Sequence, residues 1–164
     1  MIRSHYAGDL RKANAGQAVT LAGWVARRRD HGGVAFIDLR DISGSVQVVI
    51  NDEKIAGELR AEWCVLVKGT VGTRPCLLYT SDAAEGEIEV TCNELEVLSE
   101  AAPLPFPVDS GESANISEEI RLKYRYLDLR REEPARNLRL RSKITSTIRN
   151  VMDKESFHEI ETPY

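Results

Sequence analysis

The sequence is poor in cysteine, in aromatic rings and in long apolar runs, and each shortage removes a class of protein. Its 164 residues hold three cysteines, Cys64, Cys76 and Cys92. Three is an odd number and no CxxC spacing occurs, which argues against a disulfide framework and against a cysteine metal site. Cys64 lies in the strand-like run WCVLVKG and reads as a small buried side chain. The histidines, His5, His31 and His158, are scattered, so no metal centre is expected. No stretch of about 20 apolar residues occurs, so no membrane-spanning helix is expected. MIRSHYAGDL lacks the apolar segment of a signal peptide, and the cytoplasm is the expected location. No Ser/His/Asp grouping, phosphate loop or paired carboxylate stands out, so the residues themselves point to no catalytic site.

What is present suits a globular chain. A hydrophobic share of 42% excludes wholesale disorder. The length allows one ordinary domain, or a small one and a piece of another. The net charge of -4 hides a segregation. Residues 85 to 119 carry 10 acidic side chains and no Lys or Arg, whereas 121 to 143 carry nine basic against three acidic. Arg27, Arg28 and Arg29 form a second basic cluster. For a polyanionic partner the local field matters more than the total.

The order of short apolar runs predicts an all-β barrel. Residues 16–30 begin with an alternating stretch, Val19, Leu21 and Gly23 on one face and Val25 following. Residues 34–40 alternate again, with Val34, Phe36, Asp38 and Arg40 opposite Ala35, Ile37 and Leu39. Asp30-His31-Gly32-Gly33 between them is a tight turn. Asp41 to Gly44 is a second turn, and Ser45–Ile50 a third strand with Val46 and Val48 facing away from Gln47 and Val49. Residues 53–62 read as a short helix, 63–71 as a fourth strand, and 87–90 with 95–98 as the fifth. Five strands with a helix between the third and fourth is the order of an OB-fold barrel in Greek-key connection.

The remainder reads differently. Residues 76–84, CLLYTSDAA, are apolar where a surface loop belongs, and the string resembles a translated sequencing-library adapter; it is read as non-native and given no function. Residues 101–111, AAPLPFPVDSG, form a proline-stiffened linker. Ser117 is a candidate N-cap for a helix through EEIRLKYRYLDLRR, which restarts with Pro134 in the first turn of the next. Leu140, Ile144, Ile148 and Val151 repeat at spacings of 4, 4 and 3, a single apolar stripe. FHEIETPY, at the end, reads as the start of a strand.

One constellation carries chemistry. Phe36 shares its strand face with Asp38 and Arg40 rather than with Ile37 and Leu39. An aromatic on the polar face of an OB sheet is a stacking platform for a base; the alternative is a core ring. Gln47, on the next strand, can both donate to and accept from a base edge, or can simply face solvent. Arg29 ends the first strand, and Arg27 and Arg28 are candidates for RNA backbone contacts or a solvated charge cluster. Asp38, Arg40 and Asp41 are read as either a salt-bridged turn or further RNA contacts. Together the residues favour single-stranded nucleic acid.

GWVARRRDHGGVAFIDLRDISGSVQVVI and RLKYRYLDLRR resemble the N-terminal anticodon-binding domain and hinge of bacterial-type aspartyl-tRNA synthetases. FHEIETP, residues 157–163, resembles motif 1 of class II synthetases, a dimer-interface element whose proline corresponds to Pro163. RRRDHGG followed by FIDLRD points to the aspartyl type over the lysyl and asparaginyl enzymes that share the barrel. The resemblance implies that Phe36 stacks on an anticodon base and that Gln47 and Arg29 contact anticodon bases. It implies that His31, Gly32 and Gly33 form the loop tied to tolerance for tRNA(Asn) beside tRNA(Asp). The division it implies is an OB-fold anticodon domain at 1–102, a linker and hinge at 103–134, and the start of an α+β catalytic domain at 135–164. The full-length enzyme would be a homodimer that uses ATP and Mg2+ to attach aspartate to tRNA. Tyr164 departs from the family's aliphatic residue, and motifs 2 and 3 are absent, so these residues are expected to bind tRNA without aminoacylating it. The competing readings are a free-standing OB module that binds single-stranded nucleic acid, and a structural or dimerising fragment.

Overall fold

The computed structural model describes residues 2–31, 33–74, 87–108 and 116–163. The anomalous 76–84 stretch with Cys76, and also Gly32, Tyr164 and the end of the proline linker, lie outside the described residues. The chain divides into two compact units, 1–104 and 105–164.

The first unit is a closed five-stranded barrel. Its strands are β1 (Ala18–His31), β2 (Val34–Arg40), β3 (Ser45–Ile50), β4 (Cys64–Thr73) and β5 (Ile88–Ser99), with α1 (Glu53–Glu58) between β3 and β4. Neighbours run β1-β2-β3-β5-β4 and back to β1. All pairs are antiparallel except β3 with β5, where Val48 faces Val90 and Val49 faces Thr91. Closure removes the unpaired edges that would otherwise recruit another chain.

Period-2 alternation builds the core. Val19, Leu21 and Val25, then Ala35, Ile37 and Leu39, then Val46, Val48 and Ile50 all point inward, with Val65, Val67, Val71, Ile88 and Val90 from the last two strands. Each such side chain is stabilised by roughly 1.5–3 kcal/mol on burial. Ala56 and Leu59 from the α1 region join this cluster, as do Ala7 and Leu10 from the segment before β1. That segment is held by Asp41, whose carboxylate accepts the Ala7 N–H at 2.8 Å. Gly69 sits where β4 and β5 shift register, and a Cβ there would lie 2.4 Å from the Thr91 carbonyl oxygen. Only glycine lets the two backbones approach so closely.

Some elements differ from the sequence-based expectation. β1 continues through Asp30 and His31, with His31 paired to Val34, so the strand takes in half of the expected turn. Gly33 has φ +88°, the left-handed region such a hairpin needs. α1 stops at Glu58, four residues early, and Glu62 adopts φ +66° before β4. β5 is one strand with register shifts rather than two pieces. Cys64 is half-buried rather than buried.

The second unit is helical: α2 (Glu118–Lys123), α3 (Arg125–Asp128) and α4 (Glu132–Lys154). Ser117 occupies the N-cap of α2, but its side chain makes no capping bond. The expected single helix breaks at Tyr124 (φ -109°, ψ 47°). Asp128 is fully buried and accepts from Arg125 Nη1 at 2.6 Å and Arg131 Nη1 at 2.9 Å. Pro134 falls in the first turn of α4, where its missing N–H costs nothing, after Glu132 and Glu133 at the positive end of the helix dipole. α4 ends with Ser156 at φ +62°, the Ser156 N–H on Asp153 O and the Phe157 N–H on Met152 O. These bonds satisfy two orphan carbonyls of the last turn. Residues 157–163 form no strand, and no described residue pairs with them as one.

Candidate nucleic-acid interface

A bulge decides which arginines face outward. In β1, Val25 pairs with Leu39 and Arg27 with Asp38, so Ala26 is an extra residue. An inserted residue reverses the alternation beyond it. Odd-numbered positions face the core up to Val25 and face outward from Arg27 on. Arg27 therefore lies opposite Asp38, and Arg29 opposite Phe36, on the outer face. Arg28 takes the other face. It donates from Nη1 to Gly57 O at 3.1 Å and Leu59 O at 3.4 Å, and its fork pairs with Asp30 at 3.1 and 2.8 Å. The structure thus separates Arg28, which ties β1 to the end of α1, from Arg27 and Arg29.

The register carries the same face across the sheet. Phe36 lies opposite Val49, and Asp38 opposite Gln47. Phe36 is half-buried, between Arg29 on one side and Val49 on the other, while Ile37 and Leu39 fill the core. The three residues singled out from sequence, Arg29, Phe36 and Gln47, come together on three adjacent strands. His31 is exposed beside them at the tip of the β1–β2 hairpin, with Gly33. Pro163 belongs to the tail of the second unit after α4 and is exposed.

Two residues enter that sequence reasoning missed. Gln47 is only 8% exposed. Its Nε2 donates to Glu89 Oε2 at 3.2 Å, and its Oε1 accepts from Arg74 Nη2. Its amide is thus held at both ends rather than left in solvent, which fixes its orientation. The outward position of Glu89 follows from the inward Ile88 and Val90. The contact itself depends on the parallel β3–β5 pairing, which no local pattern shows. Arg29 is fixed as well, donating from Nη2 to Asp38 Oδ1 at 2.7 Å. The Nε atoms of Arg29 and Arg74 are enclosed without a hydrogen-bond partner among the described residues.

Asp38, Arg40 and Asp41 each have a partner outside their own group. Arg40 forms a two-bond fork with Glu62 at 2.7 and 2.8 Å, and Asp41 holds the N-terminal segment. Among the described residues no three His, Cys, Asp or Glu side chains gather as metal ligands, and no helix is long and apolar enough to cross a membrane. Burial pushes the Cys92 thiol above its ordinary range, against reactivity.

The face is therefore a sheet surface that presents the Phe36 ring, oriented amide and guanidinium groups, and the Asp38 and Glu89 carboxylates. Such a surface carries the kinds of group that stacking on and reading unpaired bases require. Residues 19–98 match the family of the OB-fold nucleic acid binding domain, and 117–164 match the class II tRNA synthetases (D, K and N). An aspartate–tRNA(Asp/Asn) ligase of a Nocardioides species is 59% identical over 99% of this chain and 27% of its own length. The ligase of that name from Thermobifida fusca is 57% identical over 100% of this chain and 28% of its own length. Asparaginyl-tRNA synthetase from Pyrococcus horikoshii superposes with a TM-score of 0.82 at 28% identity, over 99% of this chain and 37% of that one. The chain spans about a quarter of the length of the ligases it matches, 27% for the first of them. The barrel and the helical unit are thus each matched to a part of one enzyme family, and over its whole length the chain is similar to aspartate–tRNA(Asp/Asn) ligases of the class II aminoacyl-tRNA synthetases.

Proposed function

We propose that the outer face of β1, β2 and β3 reads the anticodon of tRNA(Asp), with Phe36 stacking on a base and Arg29 and Gln47 contacting base edges. The observation that carries the reading is the joint placement of these three side chains on one sheet face, with the Gln47 amide held between Arg74 and Glu89. Glu89 and Arg74 extend that row. Arg27 is exposed on the same face and suits a backbone phosphate. Arg28 is engaged with α1, which favours a structural role for it. His31, at the hairpin tip with Gly33, is assigned together with Gly32 to tolerance for tRNA(Asn). The relatives bearing the Asp/Asn name support that assignment.

In the longer protein, residues 1–102 serve as the anticodon domain, 103–134 as linker and hinge, and 135–164 as the start of the catalytic domain, with Pro163 at a dimer interface. That protein, cytoplasmic and dimeric, would activate aspartate with ATP and Mg2+ and transfer it to tRNA. The residues described here offer no gathered carboxylates for a metal, so no chemical step is assigned to them.

The test is tRNA binding by the 164-residue chain and its Phe36→Ala variant. Loss of stacking weakens binding by about 1–3 kcal/mol. Unchanged affinity in a folded variant refutes the role given to Phe36. The same preparation, supplied with aspartate and ATP, is expected to form no adenylate, and adenylate formation overturns that part of the reading.

A further inference from the structure

We propose that Asp38 is a positioning residue that turns Arg29 from a general phosphate binder into a reader of base edges; this rests on the anticodon reading above. Arg29 stands near the end of β1 on a long side chain that, left alone, samples many rotamers. Its guanidinium does not roam. Asp38 Oδ1, one pair along the neighbouring strand on the same face, accepts from Nη2 at 2.7 Å. Asp38 is 20% exposed and Arg29 36%, so the pair sits at the rim of the surface, partly shielded.

The bond has two consequences. It fixes the plane of the guanidinium. Arg29 Nε is enclosed without a partner among the described residues, and further N–H groups of the fork remain to be aimed at a ligand. It also neutralises the charge locally. A phosphate approaching Arg29 must compete with a carboxylate already in place and is repelled by it. A neutral acceptor on a base edge meets no such repulsion. Asp38 lies directly across from Gln47 on β3 and from Arg27 on β1, so it sits in the middle of the row. Arg27, exposed on the same face, is left as the phosphate contact.

The experiment measures binding of the 164-residue chain to an aspartate anticodon stem-loop and to the same stem-loop with its anticodon bases changed, across a salt series. Asp38→Ala is expected to reduce the ratio of the two affinities roughly tenfold, with little loss of total binding. The salt dependence is expected to steepen by up to about 0.7, the signature of one added phosphate contact on a single strand. Asp38→Asn keeps an acceptor oxygen and is expected to restore most of the ratio while keeping the steeper salt slope. In an Arg29→Ala background, Asp38→Ala is expected to change the ratio no further.

A ratio unchanged in Asp38→Ala overturns the proposal. So does an equal loss for both RNAs at unchanged salt slope, which is the mark of a merely structural residue. Additive losses in the double variant overturn it too, because Asp38 would then act by itself. If the unaltered chain binds both stem-loops equally, the anticodon reading fails and this inference with it. If the unaltered chain discriminates and Asp38→Ala keeps the same ratio, only this inference fails.

Discussion

The barrel and the long helix α4 handle apolar side chains in opposite ways. In the barrel nearly every inward position is closed off from water, with Leu21, Val25, Ile37, Leu39, Val48, Val65, Val67, Val71 and Val90 almost entirely buried. In α4, which runs for 23 residues, no residue is buried, and Leu140, Ile144, Ile148 and Val151 are each 50–58% exposed. Both segments are amphipathic in sequence. The barrel satisfies its pattern within the chain because five strands close on themselves. One helix has no second surface of its own, and most helical stability comes from tertiary packing. The barrel is thus self-contained. The apolar stripe of α4 suits a larger domain, in keeping with relatives of which this chain spans 27%.

The largest expected effect separates the two regions most sharply. Ile37→Ala removes a fully buried side chain from the centre of β2 and should destabilise the barrel by about 2–5 kcal/mol in urea unfolding followed by tryptophan fluorescence. Ile148→Ala, the same truncation on α4, should stay within about 0.5 kcal/mol. Comparable losses would mean that the α4 stripe is packed in solution. Next comes Gly69→Ala. Its new Cβ would meet the Thr91 carbonyl at 2.4 Å, and backbone must move, at a cost of about 1–3 kcal/mol. A neutral result would show that β4 and β5 can part at their register shift without loss.

How much of this was legible in the sequence follows from the range over which each signal acts. Alternation in VAFIDLR and SVQVVI is local, so the faces of Phe36, Ile37 and Leu39 could be read directly. The order of five strands and one helix was enough for the barrel. The Ala26 bulge was not legible. Alternation counted from Val25 puts Arg27 and Arg29 inside, and only the pairing with β2 shows the reversal. The clamp on Gln47 was hidden for a similar reason, since Glu89 is 42 positions away and Arg74 27. The break at Tyr124 could not be read either. Nothing in KYRYLD forbids a helix, and the two arginines that converge on Asp128 replace its expected continuity. The terminal FHEIETP has strand composition, but a strand exists only with a neighbour to bond.

Smaller effects test the stripe itself. Replacing Leu140, Ile144 and Ile148 together by glutamine should leave barrel melting within about 0.5 kcal/mol of the original. The same variant should reduce self-association in sedimentation velocity, because it removes a contiguous exposed apolar surface. If barrel melting instead fell with the stripe, the division into a self-contained barrel and an unsupported helix would be wrong.

The smallest expected effect concerns the tail after α4. Arg149 donates to both carboxylate oxygens of Glu159, at 2.7 and 2.9 Å, and this fork adds to the Phe157 N–H bond on Met152 O in tying the tail to the helix. The Arg149 guanidinium keeps the Glu159 carboxyl below the usual glutamate range, chiefly through that hydrogen bond, and Glu159 in turn raises Arg149. A carboxyl whose value is lowered in the folded state contributes its stabilisation above the ordinary glutamate range and loses it as pH falls through the lowered value. Arg149 stays protonated throughout, so Glu159 alone sets the pH window. Both groups are open to water, where such pairs contribute little and salt screens them. Glu159→Gln should therefore leave the melting of either unit unchanged while loosening the tail. An NMR titration of the Glu159 carboxyl is the sensitive readout. Its midpoint should return to the ordinary glutamate range in Arg149→Gln and move toward it at high salt. An identical midpoint with and without Arg149 would show that the fork does not persist in solution, and that the tail is as unsupported as the helix it follows.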